Sequence, residues 1–125
     1  VLLVEDHADE QFLYARYFLA RGFRVQTAGD GETAVRRAVA SPPDVIVMDL
    51  SLPRLDGWEA TRQLKRDART AHVPIVACTG HAFGSAVERA IEVGCDAYVV
   101  KPCLPEDLMR VVEDVLRRFS ARREA

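Results

Sequence analysis

The stretch Val45-Ile46-Val47-Met48-Asp49-Leu50 decides how this chain is read. Four apolar residues run without interruption and close on a carboxylate, Asp49. Near-continuous apolar runs of this length suit strands covered on both faces, as in a parallel sheet. Outward from it the pattern recurs, at Val1 to Val4 upstream and at Ile75 to Cys78 and Ala97 to Val100 downstream. A fifth run, Phe23 to Ala28, reads Phe, Arg, Val, Gln, Thr, Ala. Its alternation marks an edge strand with one wet face.

Stretches with helical spacing separate the runs. Leu13, Tyr14, Tyr17 and Phe18 share one side of the first, and Ala34, Val35, Ala38 and Val39 mark the second after a start signal at Asp30. The third, roughly Gly57 to Arg69, turns Trp58, Thr61 and Leu64 inward. The fourth uses Val87, Ala90 and Ile91 and stops at Gly94, a glycine placed to end a helix. In the last, Leu108, Val111, Val112, Val115, Leu116 and Phe119 recur at i, i+3, i+4, i+7, i+8 and i+11, with Pro105 at the first helical position. Strand then helix, five times over, predicts βαβ units with right-handed crossovers and helices on both faces of the sheet.

At 125 residues the chain has room for one domain. Apolar residues make up 49% and charged residues 29%, ordinary for a globular protein. The net charge of −2, from 17 basic and 19 acidic residues, offers no footprint for nucleic acid or an anionic membrane. No apolar run approaches the roughly 20 residues that cross a bilayer. The chain starts without Met, directly in an apolar run, so a processed or trimmed terminus is expected. No signal peptide is visible. Three scattered cysteines and three scattered histidines argue against a disulfide framework or a zinc site and for a reducing compartment.

In four of the five units a chemically capable polar residue stands at the carboxyl end of the apolar run: Glu5 and Asp6, Asp49, Thr79, and Lys101. Open parallel α/β sheets bind ligands outside the carboxyl ends of their strands. The fold therefore gathers three carboxylates, a hydroxyl and an ammonium around one crevice. At 4 Å, like charges repel by about 4 kcal/mol at an effective dielectric of 20. A proton or a cation must relieve that conflict. Lys101 supplies part of the countercharge, and a hard divalent cation, Mg²⁺ or Mn²⁺, suits an all-oxygen ligand set. A carboxylate nucleophile, a metal, an ammonium and a hydroxyl donor are the parts of phosphoryl transfer.

Short motifs stand in order along the chain. They are the acidic pair after Val4 (Glu5, Asp6), Asp49-Leu50-Ser51-Leu52-Pro53 with Asp56-Gly57 downstream, Thr79-Gly80, Gly94-Cys95-Asp96-Ala97-Tyr98, and Lys101-Pro102. Together they resemble the receiver (phospho-acceptor) domain of bacterial two-component response regulators, over essentially the whole chain. The resemblance implies a flavodoxin-like, doubly wound (βα)5 fold with a five-stranded parallel sheet in the order 2-1-3-4-5. It implies Asp49 as the phosphorylated residue. Glu5, Asp6, Asp49 and the backbone carbonyl of Ser51 would be metal ligands for Mg²⁺ or Mn²⁺. Thr79 and Lys101 would stabilise the phosphoryl group, Thr79 and Tyr98 would form the switch, and the peptide before Pro102 would be cis. His81 lies near the pocket rim, either tuning water access or serving as an ordinary surface histidine. Asp9 and Glu10 read as ordinary solvated acids, and Trp58 as core.

The implied function is a phosphorylation-dependent signalling switch, not an enzyme in the ordinary sense. It would assist its own phosphorylation and dephosphorylation and change the surface formed by the fourth helix, fifth strand and fifth helix to control a partner. The implied phosphodonor is a sensor histidine kinase or a histidine phosphotransfer protein. No nucleic acid or membrane is expected as a partner of this domain, the compartment is cytoplasmic, and a phosphorylation-linked homodimer is one readout. Residues 1–120 form the receiver domain and 121–125 a tail or the start of a linker. The unit either stands alone or belongs to a hybrid kinase or larger regulator. Two alternatives remain at this level: a receiver-like interaction module without phosphorylation, and an aspartyl-nucleophile phosphatase. The dehalogenase-type phosphatases carry a second Asp two positions after the nucleophile, where this chain has Ser51. A dinucleotide or flavin module needs a phosphate-cradling loop where this chain has Glu5 and Asp6.

Overall fold

The computed structural model of the chain describes residues 1–50, 52, 55–80 and 85–124, with backbone alone at 85–87 and 121–124. The strands are β1 (Leu2–Val4), β2 (Gln26–Ala28), β3 (Ile46–Asp49), β4 (Ile75–Thr79) and β5 (Ala97–Val100). The helices are α1 (Ala8–Ala20), α2 (Gly31–Ala40), α3 (Gly57–Arg66), α4 (Ser85–Glu92) and α5 (Pro105–Glu124). All strand pairs are parallel, in the order β2-β1-β3-β4-β5. This is the flavodoxin-like order that the resemblance implies.

In β1, β3 and β4 the apolar runs are continuous because both faces of the sheet are covered; β5, whose apolar run also predicts cover on both faces, is instead an edge strand that buries Val99 and exposes Tyr98. Leu2, Val4, Ile46, Met48, Ile75 and Ala77 pack with Ala34, Ala38, Ala60, Leu64 and Ala90 of α2, α3 and α4. The alternate residues Leu3, Val47, Val76, Cys78 and Val99 pack with Tyr14 and Phe18 of α1 and Leu108, Met109, Val112 and Val115 of α5. Successive strand side chains point to opposite faces, so the inner strands β1, β3 and β4 feed both cores, while the edge strands β2 and β5 each feed one. The edge strand is shorter than its alternating run. It pairs only with β1, whose three residues limit the register to Gln26 through Ala28. Phe23 leaves the ladder and stacks edge-on against Phe18, with ring centroids 5.3 Å apart.

Two expected core residues lie outside. Leu13 is 55% exposed and Ile91 65% exposed. Each sits one residue, about 100° around the helix, from a buried neighbour (Tyr14, Ala90), which takes it off the buried stripe. Trp58 is only partly buried; it packs at the core margin, and the Arg89 guanidinium lies 4.6 Å from its ring centroid. The third helix stops at Arg66, earlier than its run suggests, because Asp67 turns the chain by accepting from the Arg69 backbone N–H at 2.9 Å. The helix signals elsewhere hold. Asp30 caps α2 by accepting from the Thr33 N–H at 2.8 Å, and α5 starts at Pro105. Gly94 has φ +104°, and the bonds Gly94 N–H to Ile91 O and Cys95 N–H to Ala90 O form the paired helix-ending motif. Cys78, Cys95 and Cys103 are free thiols. Among the described residues, no helix is long and apolar enough to cross a membrane.

Candidate functional site

The sheet order reverses at β1, whose neighbours are β2 on one side and β3 on the other. The crevice at the carboxyl ends of β1 and β3 is the topological switch point of this fold. Glu5 leaves β1 there, its N–H still bonded to Ala28 O of β2 at 2.9 Å. The Gln11 side chain donates to Glu5 O at 3.0 Å and Ala28 O at 3.3 Å, which ties the start of α1 to both strands. Asp49 is the last residue of β3 and is buried beside Glu5, each 5% exposed.

The loop after Asp49 returns so closely that a Cβ on Gly57 would stand 2.3 Å from Asp49 O and 2.5 Å from Leu50 Cα. Only glycine fits that approach. Asp56 caps α3 by accepting from the Glu59 N–H at 2.8 Å. The Asp56-Gly57 pair is thus a turn-and-cap device that seats the end of β3.

Lys101 enters from the opposite side of the crevice. Its backbone N–H donates to Thr79 O at 2.8 Å, and the peptide to Pro102 is cis, as the resemblance implies. The ammonium Nζ lies 2.5 Å from Glu5 Oε1, 2.9 Å from Glu10 Oε2 and 3.3 Å from Asp49 Oδ2. Thr79 ends β4 and is buried, paired in register with Val100. Tyr14 of α1 donates its hydroxyl to Cys103 O at 2.7 Å and anchors the segment that follows Lys101.

Two members of the cluster were not read from the sequence. Glu10, taken for an ordinary solvated acid, binds the Lys101 ammonium. His7 places Nδ1 3.2 Å from Glu5 Oε2 and 3.4 Å from Asp6 Oδ1. Neither carries a local signal: both lie in a polar segment at the start of α1, and only the packing of α1 aims them. Tyr98, in contrast, lies at the surface, 44% exposed, beside a groove of ≈ 370 Å³ lined by Ala90, Ile91, Cys95 and Arg118. Ser51 and His81 lie outside the described residues.

The electrostatics follow from burial and crowding. Burial, the Glu10 carboxylate and Asp49 push the Glu5 carboxyl up to about 7, against the pull of Lys101. Glu10 is held below the usual carboxylate range, first by its hydrogen bond with Glu5 and then by Lys101. Burial opposes the Lys101 charge, but hydrogen bonds to Glu5 and Glu10 and the Asp49 charge outweigh it and raise the ammonium pKa. His7 is raised by its bond to Glu5 and by the Asp6 charge. Ligand atoms of Glu5, Asp6, His7 and Asp49 lie within 4.8 Å of one another. A set dominated by carboxylate oxygen fits a hard divalent cation, and excess negative charge gives that cation something to neutralise.

Comparison with known proteins concerns the chain as a whole. The family model "Response regulator receiver domain" matches residues 1–113. The chain is 36% identical to the probable transcriptional regulator ycf27 of Guillardia theta, over 94% of this chain and 45% of that protein. It is 35% identical to the polar-differentiation response regulator DivK of Brucella ovis, over 82% of this chain and 83% of that protein. The chain thus spans about half the length of ycf27 and of the Bacillus subtilis regulator PhoP, where coverage is 45% and 48%, but most of DivK. Among solved structures, the receiver domain of sensor histidine kinase PA1611 from Pseudomonas aeruginosa superposes with a TM-score of 0.82 at 36% identity, covering 94% of this chain and 93% of that one. That structure has a magnesium ion coordinated in its active site cleft. The chemotaxis response regulator CheY4 of Vibrio cholerae superposes with a TM-score of 0.87 at 26% identity, over 91% and 95% of the two chains.

Proposed function

The chain belongs to the response regulator receiver domain family, and from that premise we propose that it is a signalling switch that takes a phosphoryl group onto Asp49. The observation that carries this is the Lys101 ammonium 3.3 Å from a buried Asp49 carboxylate at the switch point of the sheet. In the proposed step an Asp49 carboxylate oxygen attacks phosphorus of a phosphohistidine on a sensor histidine kinase or histidine phosphotransfer protein. A P–O bond forms, the P–N bond breaks, and the electron pair leaves with the donor imidazole. The acyl phosphate then meets Lys101, whose charge-assisted bonds favour the added oxygens, and the Thr79 hydroxyl, which donates to one of them.

Glu5, Asp6 and Asp49 would hold a Mg²⁺ or Mn²⁺ ion, with the Ser51 carbonyl as a further ligand in the family pattern. The ion would neutralise charge on the phosphoryl oxygens. The surface of α4, β5 and α5 is the proposed output, with Tyr98 as its moving part and a homodimer as one readout. The receiver unit is taken as 1–120 with 121–125 as tail or linker start, working in the cytoplasm. Incubation of wild type and Asp49→Asn with acetyl phosphate and Mg²⁺ tests the acceptor by intact mass. Wild type should gain one phosphoryl group and the variant none. Labelling of the variant at the wild-type rate would sink the assignment.

A further inference from the structure

Lys101 is shared among three carboxylates, and the shares are unequal. Its Nζ is closer to Glu5 and Glu10, at 2.5 Å and 2.9 Å, than to Asp49 at 3.3 Å. Glu5 and Glu10 stand on the α1 side of the crevice. Glu10 lies in the first turn of α1, where unpaired backbone N–H groups favour a negative charge. The Gln11 bonds to Glu5 O and Ala28 O pin that turn to β1 and β2 and fix where the Glu10 backbone stands.

A cation bound by Glu5 would remove Glu5 as a competitor for the ammonium. Glu10 is a competitor that such an ion leaves in place. We propose that Glu10 is a positioning residue that holds Lys101 back from Asp49 and so opposes accumulation of the phosphorylated form. This rests on the reading of Asp49 as acceptor. Drawing Lys101 toward an arriving phosphoryl group stretches its bond to Glu10, and Glu10 then faces added negative charge. Both effects disfavour the same state. The pair is partly exposed, with side chains 20% and 45% accessible, which limits its weight.

The test titrates the full chain with beryllofluoride, a phosphoryl mimic, in saturating Mg²⁺, following NMR shifts in wild type and Glu10→Gln. The variant should bind about two- to five-fold more tightly, while its affinity for Mg²⁺ alone does not increase. That contrast separates release of Lys101 from a general change in site charge. Binding equal to or weaker than wild type overturns the proposal. So does the same gain from Glu10→Gln in a Lys101→Met background, because Glu10 would then act by direct repulsion. If wild type binds no beryllofluoride and gains no phosphoryl mass, the Asp49 reading itself fails, a result distinct from wild-type binding that Glu10→Gln leaves unchanged.

Discussion

Glu5 is buried with its two oxygens turned to different partners, Oε1 to Lys101 and Oε2 to His7. Burial pushes its carboxyl up to about 7 from an ordinary 4.5. A carboxyl raised in the folded state stabilises the fold fully below its unfolded value and loses that contribution as pH rises through about 7. His7, also raised, acts in the same direction: its contribution is present below its ordinary 6.5 and lost above its folded value. The metal-free protein should therefore melt lower at pH 8 than at pH 6 in chelator. Saturating Mg²⁺ should narrow the gap, because the cation replaces the proton. Mg²⁺ itself should bind more tightly at pH 8, where Glu5 is ionised and His7 is less charged. Calorimetric titration at the two pH values checks this, and equal affinities would rule it out. Asp67 works at the other end of the scale. Its bonds to Arg69 hold it at about 2, so its contribution is present above the ordinary carboxylate value and lost as pH falls through about 2.

At the scale of elements, the motif Gly94 through Tyr98 divides into separate tasks. Gly94 ends α4 in a backbone conformation that L side chains rarely adopt. Asp96 stays out of the Glu5, Asp49 and Lys101 cluster. Its Oδ2 accepts from Lys65 Nζ at 2.9 Å and from the Ile75 N–H at 2.8 Å, and Lys65 also donates to Val73 O at 2.8 Å. One carboxylate thus staples α3 to the starts of β4 and β5. Asp96→Ala would leave a partly buried ammonium and a strand N–H without that acceptor, and should cost about 2–3 kcal/mol. Asp96→Asn retains an acceptor for Ile75 and should cost clearly less. Urea denaturation of the three proteins measures the order, and an alanine variant as stable as the asparagine variant would remove the staple. Acetyl phosphate labelling of Asp96→Asn should stay near wild type, because the staple lies at the far end of the strands from Asp49.

Across the whole molecule, the proposed switch would have to carry a change at Asp49 to a surface on the other side of β4. Thr79 ends β4 beside Val100 of β5, and Tyr98 stands two residues before Val100 on the same strand. The Tyr98 ring lies outward, next to the groove under Ala90 and Ile91. Drawing Thr79 toward a phosphoryl group should let the ring turn inward and reshape the α4, β5 and α5 surface. In the proposed switch this is a population shift, with Thr79 and Lys101 supplying the contacts that would differ between its two states. Beryllofluoride should move the amide resonances of α4, Tyr98 and α5 in wild type, and far less in Thr79→Ala. Shifts confined to the residues around Asp49, or full transmission through Thr79→Ala, would refute it.

The sequence alone determined the five β/α units, the covered inner strands and one of the two edge strands, β2. For β1, β2, β3 and β4 the run itself says how many faces the strand buries, a local property of the chain; the apolar run of β5 does not, because its place at the sheet edge leaves Tyr98 exposed. It also determined which polar residues gather, because Glu5, Asp6, Asp49, Thr79 and Lys101 end their runs at the same pole of a parallel sheet. The tertiary structure alone decided how Lys101 is shared. Its contact with Glu10 spans 91 positions and depends on the angle at which α1 leaves β1, which Gln11 and the packing of Tyr14 and Phe18 set. The exposure of Leu13 and Ile91 was decided there too. Periodicity locates a helix stripe to within about one residue, or 100° of rotation, and only the neighbouring elements settle where its edge falls.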